Sequence, residues 1–320
     1  MSLGNFLKLV WNEQVKLFGR KSAWVMIGLT VLLVIGAGIM TQSFLEEWDT
    51  REYSNDWRTE LAEENTALEA EIAEAGDFGG FTQQMRIEQN NVALEEDVKP
   101  RPYDAWAFTY DNAFIMLVVS LFAIITAAGI VSNEFKWGTI KLLLIRPINR
   151  SKILLAKYLS VFIFTGVLIL TLFVSSILVG AILFGINDIT QTSVIPTLSG
   201  DYLVMNYLTA IWQEYGFGMV SLVMMTTLAF MISTLFRSSA MAIGISLFLL
   251  LSSGGLMLFL ARYDWAKFIL FANTDLGQYA DGGTPLIDGM TLGFSVTMLV
   301  IYLVVFLGAS FVTFTKRDVA

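Results

Sequence analysis

The 320 residues are 55% hydrophobic and only 15% charged, where a soluble chain carries about a quarter charged residues. There is no cysteine and no histidine, which excludes disulfides, thiolate metal sites, cysteine nucleophiles, Ser-His hydrolysis and HExxH zinc proteolysis. The net charge of −8 is unevenly spread: segment 43–110 holds 17 acidic and 5 basic residues, a net −12, against +4 for the remainder.

Six charge-free runs (22–45, 112–133, 158–187, 215–236, 238–261 and 289–315) are each at least 22 residues long. About 20 apolar residues cross the hydrocarbon core as a helix. The expected fold class is therefore all-α, a polytopic membrane protein of six transmembrane helices with both termini on one side. None of the runs holds a carboxylate, so aspartyl proteolysis inside the membrane is excluded as well. The chain is not expected to be an enzyme.

Residues 1–20 predict an interfacial amphipathic helix, with Leu3, Phe6, Leu7, Val10, Leu17 and Phe18 on one face and Asn5, Lys8, Asn12 and Lys16 opposite. Trp11 suits the headgroup level. A signal peptide fits poorly, because the run after Arg20-Lys21 is a full span without a small-residue cleavage site. That first span is read over 21–42. In the acidic domain 43–110, residues 57–75 are rich in helix formers, with Trp57, Leu61, Leu68 and Ile72 at near-heptad spacing. Gly76, Gly79 and Gly80 break that helix, and 81–96 predicts a second one carrying Phe81, Met85 and Val92. The expectation is an extracytoplasmic helical hairpin whose seam packs one helix on the other or pairs with a neighbouring subunit. Tyr103, Trp106, Phe108 and Tyr110 form an aromatic belt before the second span.

Residues 111–320 are read as the membrane domain, with spans near 112–132, 154–184, 214–236, 238–261 and 289–314. Between the second and third lies NEFKWGTIKLLLIRPINRSKILLAKY (133–158). It sets Lys136, Lys141, Arg146, Arg150 and Lys152 against Glu134, an excess that marks the cytoplasmic side. Asn133 and Glu134 predict a helix start and Arg146-Pro147 its stop. An ordinary positive-inside loop is the alternative. Lys8, Lys16, Arg20, Lys21, Arg237, Lys316 and Arg317 repeat the sign, so both termini are read as cytoplasmic in a cell membrane.

Residues 186–206 are expected as a polar outer loop. Glu214 falls just ahead of the fourth span, at the interface, or inside the membrane as a functional group. Segment 262–288 joins Trp265, Phe268, Ile269, Leu270 and Phe271 to Asn273, Asp275, glycines and Pro285. Irregular backbone at membrane depth needs protein or a wet cavity over it, and a re-entrant segment and an anchored surface loop both stay open. Glu214, Asn273 and Asp275 are the candidate pathway or outer-gate residues.

The pattern Glu134, Gly138-Thr139, Leu142-Leu143, Pro147, Arg150 and Lys157 resembles the signature that follows the second span in permease subunits of type-2 ABC exporters. The likeness is close from 133 to 158 and looser over the six-span layout. It implies that 134–146 is a cytoplasmic coupling helix docking on a separate ABC ATPase subunit through Glu134, Gly138, Thr139, Leu142, Leu143, Pro147 and Arg150. It further implies short re-entrant helices in 262–288, and a dimer with a second identical or paralogous permease within membrane lipid. The substrate moved outward would be a peptide, a lipid or a drug-like molecule. The chain has no GxxxxGK[ST] loop, so ATP and Mg are expected on the partner and no cofactor on this chain. No nucleic-acid partner is expected. The alternative function is a membrane sensor or scaffold whose outer hairpin binds an extracellular ligand without transport. A channel or secondary transporter would carry ionisable groups within its spans, and six charge-free runs speak against it.

Overall fold

The computed structural model describes residues 3–75, 80–139, 148–197, 201–280, 283 and 285–316. Helix α1 (Leu3–Phe18) precedes α2 (Lys21–Phe44), a single turn α3 (Glu47–Thr50), α4 (Trp57–Ala75) and α5 (Phe81–Glu95). Helix α6 (Ala105–Asp111) runs through a 3-10 turn into α7 (Met116–Lys136), and α8 (Arg150–Phe184) follows. Strands β1 (Thr192–Pro196) and β2 (Tyr202–Asn206) lead into α9 (Tyr207–Phe236), α10 (Ser239–Leu260), the short α11 (Leu270–Thr274) and α12 (Leu292–Lys316). Among the described residues, α2, α6–α7, α8, α9, α10 and α12 supply six segments long and apolar enough to cross a membrane.

Two spans start earlier than the charge-free runs suggest, because caps set the helix ends. Asp104 Oδ1 accepts hydrogen bonds from the backbone N–H groups of Trp106 and Ala107, both at 3.1 Å, and so opens α6. Asn206 Oδ1 accepts from the Thr209 N–H at 2.9 Å at the head of α9. Glu214 therefore stands inside the fourth long helix and not ahead of it.

The chain divides into two compact units. The first takes residues 1–34, 113–175 and 214–320. Its inner helices are α7 and α9: 61% of the most apolar window is buried in α6–α7 and in α9, against 11% in α10 and 17% in α12. Ala123, Ala127 and Ala128 keep α7 slender and are fully buried. The Ser233 hydroxyl donates to the Ala128 carbonyl at 2.6 Å, tying α9 to α7. Tyr158 and Thr227 share a hydroxyl–hydroxyl bond of 2.9 Å between α8 and α9. Helices that stay apolar on their outer faces suit a hydrocarbon surrounding. After α10, two 3-10 turns (Asp264–Phe268 and Gly277–Tyr279) flank α11, gathered on buried Met257, Ala266, Ala272, Ile287 and Met290.

The second unit takes residues 35–112 and 176–213. Helix α4 packs on α5, with Trp57, Leu61 and Leu68 buried, so the near-heptad seam is used inside the chain. On α5 the buried residues are Asn90 and Ala93; the expected apolar positions Phe81 and Met85 are exposed instead. The expected polar loop 186–206 is a correction too. It holds an antiparallel hairpin, registered from Thr192 opposite Asn206 to Pro196 opposite Tyr202. Branched and aromatic residues in TSVIP and YLVMN suit a pleated, half-buried surface, and β1 lies against α5. Gln89 Nε2 donates to the Val194 carbonyl at 3.0 Å, and the Tyr202 hydroxyl to the Met85 carbonyl at 2.7 Å. Among the described residues the fold is thus mostly helical with a β-hairpin, not all-α. Where α8 meets α6 the backbones touch: a Cβ on Gly180 would fall 2.8 Å from the Ala105 Cα.

Candidate functional site

The signature segment begins at the end of α7, and here the expected helix start is overturned. Asn133 and Glu134 lie in the last turn of α7, which closes at Lys136 with the Trp137 N–H bonded to the Asn133 carbonyl. Gly138 follows at φ +70, a backbone region that costs glycine little and other residues more. Helical backbone is present again at Thr139. Glu134 is therefore not an N-terminal cap. Leu142, Leu143 and Pro147 lie outside the described residues, as does most of the expected 134–146 helix.

Glu134 faces inward, 8% exposed, and meets Lys157 from the second turn of α8, 1% exposed. The Lys157 ammonium donates to Glu134 Oε1 at 2.9 Å and to Glu13 Oε2 of α1 at 2.8 Å. Lys16 donates to Glu13 Oε1 at 2.8 Å and reaches Glu134 Oε1 at 3.4 Å. The Thr139 hydroxyl donates to Glu134 Oε2. Two carboxylates and two ammonium groups thus balance in one cluster shared by three helices. Burial alone would lower the Lys16 ammonium, but the hydrogen bond and charge of Glu13, joined by Glu134, hold it above its ordinary value. Beside the cluster, Gln14 Nε2 donates to the Ser160 carbonyl at 2.9 Å.

The buried face of α1 is accordingly Leu9, Val10, Glu13, Gln14 and Leu17, while Leu7 and Trp11 are exposed. That departs from the expected apolar stripe, because the ion pair with Lys157 repays the burial of a carboxylate that hydropathy alone would turn to water. Glu13 was not among the predicted site residues. Its only sequence signal is a charge one helical turn above Leu9 and Val10 on a largely apolar face.

Cations from other segments converge on the same stretch. Arg237, in the turn between α9 and α10, stacks 4.4 Å over the Phe135 ring, and Arg20, between α1 and α2, sits 5.4 Å over Trp137. Arg150 Nη1 reaches the Thr315 carbonyl near the end of α12 at 3.5 Å. The N-terminal helix, the segment after α7, the α9–α10 turn and the end of α12 therefore share one end of the first unit. Of the seven predicted coupling residues, Glu134 and Thr139 are in the cluster, Gly138 adjoins it, and Arg150 bonds elsewhere.

Glu214, Asn273 and Asp275 do not form one constellation. Asn273 is fully buried, and its amide donates to the Lys267 and Ile269 carbonyls at 2.8 Å each, which fastens the loop around α11. Asp275 Oδ1 accepts from the Gly277 N–H at 3.1 Å.

Among the described residues, six helices long and apolar enough to cross a membrane define a multi-pass membrane protein. Residues 81–320 match the family described as "Protein of unknown function (DUF2705)", and the chain belongs to that family. It is 41% identical over 318 residues to the uncharacterized protein YhcI of Bacillus subtilis (strain 168), covering 98% of this chain and 99% of that relative. It is also 36% identical over 205 residues to the uncharacterized membrane protein YdbK of the same organism, covering 63% of this chain and 78% of the relative.

Proposed function

We propose that the chain is the membrane-spanning permease subunit of an ATP-driven exporter, powered by a separate ATP-binding subunit that docks on the segment after α7. The observation that carries this reading is the buried Glu13–Lys157–Glu134 clamp. It joins the first and last polar residues of the signature, pairing the last turn of α7 with the second turn of α8 and with α1. A force applied to the chain between α7 and α8 would pass through that clamp into α1, α7 and α8, as a rigid-body coupling between distant sites requires. Lys136 and Trp137 are exposed beside the clamp and offer a partner one cation and one aromatic anchor.

On this reading both termini and the 134–149 segment are cytoplasmic, since the basic residues gather at that end of the first unit. The substrate is a peptide, lipid or drug-like molecule moved outward between two permease copies. The test is to co-purify the full chain with an ATP-binding subunit co-expressed beside it and to measure hydrolysis in lipid. Gly138→Trp and Lys136→Glu, both at exposed positions, are expected to leave the chain inserted while cutting chain-stimulated ATP hydrolysis about tenfold, the equivalent of about 1.4 kcal/mol. Wild-type stimulation in both variants would remove the support for docking at this segment.

A further inference from the structure

The second unit contains a partly enclosed polar cavity of about 50 Å³ between α5, β1, the segment before α6 and the head of α9. A single water needs roughly 10–15 Å³ of such space, so there is room for a few waters or one small oxyanion. Arg86, Gln89, Asn90, Arg101, Ser193 and Tyr207 supply most of the wall. Two donors in that wall have no partner: Arg101 Nε, on a side chain 5% exposed, and the hydroxyl of Ser193, itself 5% exposed. A guanidinium nitrogen can only donate, so whatever satisfies Arg101 must present an acceptor.

The charges are arranged to the same end. Glu64 and Asp104 hold the two arginines but are not part of the wall. Both carboxylates are already occupied. Glu64 accepts from the Tyr53 hydroxyl, Arg86 Nε and Asn90 Nδ2, and Asp104 accepts from Arg101 and from the N–H groups of Trp106, Ala107 and Asn187. Arg86 also donates to Gln89 Oε1 and the Tyr53 hydroxyl, and Arg101 Nη1 to the Asp188 carbonyl, so the donors left for the cavity are Arg101 Nε and the Ser193 hydroxyl, with the Arg86 charge beside them. Planar guanidinium donors in a fixed orientation match the geometry of carboxylate and phosphate oxygens.

We infer that this cavity is a binding site for a small oxyanion, either a free phosphate or acetate-sized ion or the terminal carboxylate of a larger ligand, held by Arg101 Nε and the Ser193 hydroxyl beside the Arg86 charge. The site is independent of the docking segment and does not rest on the transport reading. The acidic surface around it repels anions at long range, but that repulsion is screened beyond about 10 Å at 0.1 M salt, whereas the contacts inside the cavity are not.

The purified full chain in detergent, in a chloride buffer free of oxyanions, tests this by thermal unfolding and titration at constant ionic strength. The probes are sodium phosphate, sodium acetate, and a short peptide with either a free or an amidated C-terminus. Ligand that binds only the folded state raises the unfolding midpoint with concentration. At least one probe is expected to do so, and Ser193→Ala is expected to weaken its binding about tenfold, as loss of one hydrogen bond to a charged group does. Ser193→Cys, close to serine in volume, serves if the alanine variant fails to fold. Preference for the free over the amidated peptide, with no response to the ions, assigns the site to a larger ligand. Equal effects of all probes and chloride, or binding unchanged in the Ser193 variants, would overturn the proposal and leave a water-filled cavity.

Discussion

Lys157 illustrates how a single buried charge can decide the state of three helices. An ammonium 1% exposed is tolerable only because two carboxylates meet it at 2.8 and 2.9 Å. Removing one partner of such a pair leaves an uncompensated charge and costs about 3–5 kcal/mol, while replacing the whole set with apolar or neutral groups of similar shape is far less costly. Lys157→Met is therefore expected to lower the unfolding midpoint in detergent sharply. The combination Glu13→Gln, Glu134→Gln and Lys157→Met is expected to recover most of that loss. If the triple variant is as unstable as the single one, the side chain's contribution is packing and the charge account fails. The motif made Glu134 and Lys157 visible as individual residues, but not as partners. Glu13 was out of reach for a plainer reason: its partner is 144 positions away, and an isolated charge on an amphipathic helix reads as solvent-facing.

At the scale of elements, legibility followed how local the cause is. Long charge-free runs marked the spans, because hydrocarbon thickness alone demands them. The hairpin of α4 and α5 was legible from helix formers broken by glycines. The β1–β2 hairpin was not, since strands of five residues become stable only against α5, which lies about a hundred positions earlier. One group shows what holds the helical hairpin. Burial alone would raise the Glu64 carboxyl, but hydrogen bonds from Tyr53, Asn90 and Arg86, with the charge of Arg86, hold it below its ordinary 4.5. Burial together with the bond to Glu64 also pushes the Tyr53 hydroxyl up to about 12. A depressed carboxylate pKa contributes stability that is present above pH 4.5 and lost as pH falls through the folded value. Fluorescence of Trp57, packed beside Tyr53, should thus hold steady above pH 4.5 and shift below it. Glu64→Gln should flatten that acid transition, and identical acid curves for the two proteins would show that Glu64 does not control it.

For the whole molecule, the basic turns and the buried clamp sit at one end of the first unit, while the second unit carries most of the acidic residues and the two-arginine cavity. On the proposed reading, energy enters at the former end. Trp137 is the point at which the entry can be tested most directly, because it is 60% exposed, follows Glu134 by three residues, and belongs to a protein with no native cysteine. Trp137→Cys carrying a short photoactivatable crosslinker, in intact membranes containing the co-expressed ATP-binding subunit, is predicted to yield one adduct to that subunit, weakened by Lys136→Glu. Adducts only to lipid or to a second copy of the chain, with the ATP-binding subunit present and uncrosslinked, would contradict the docking claim.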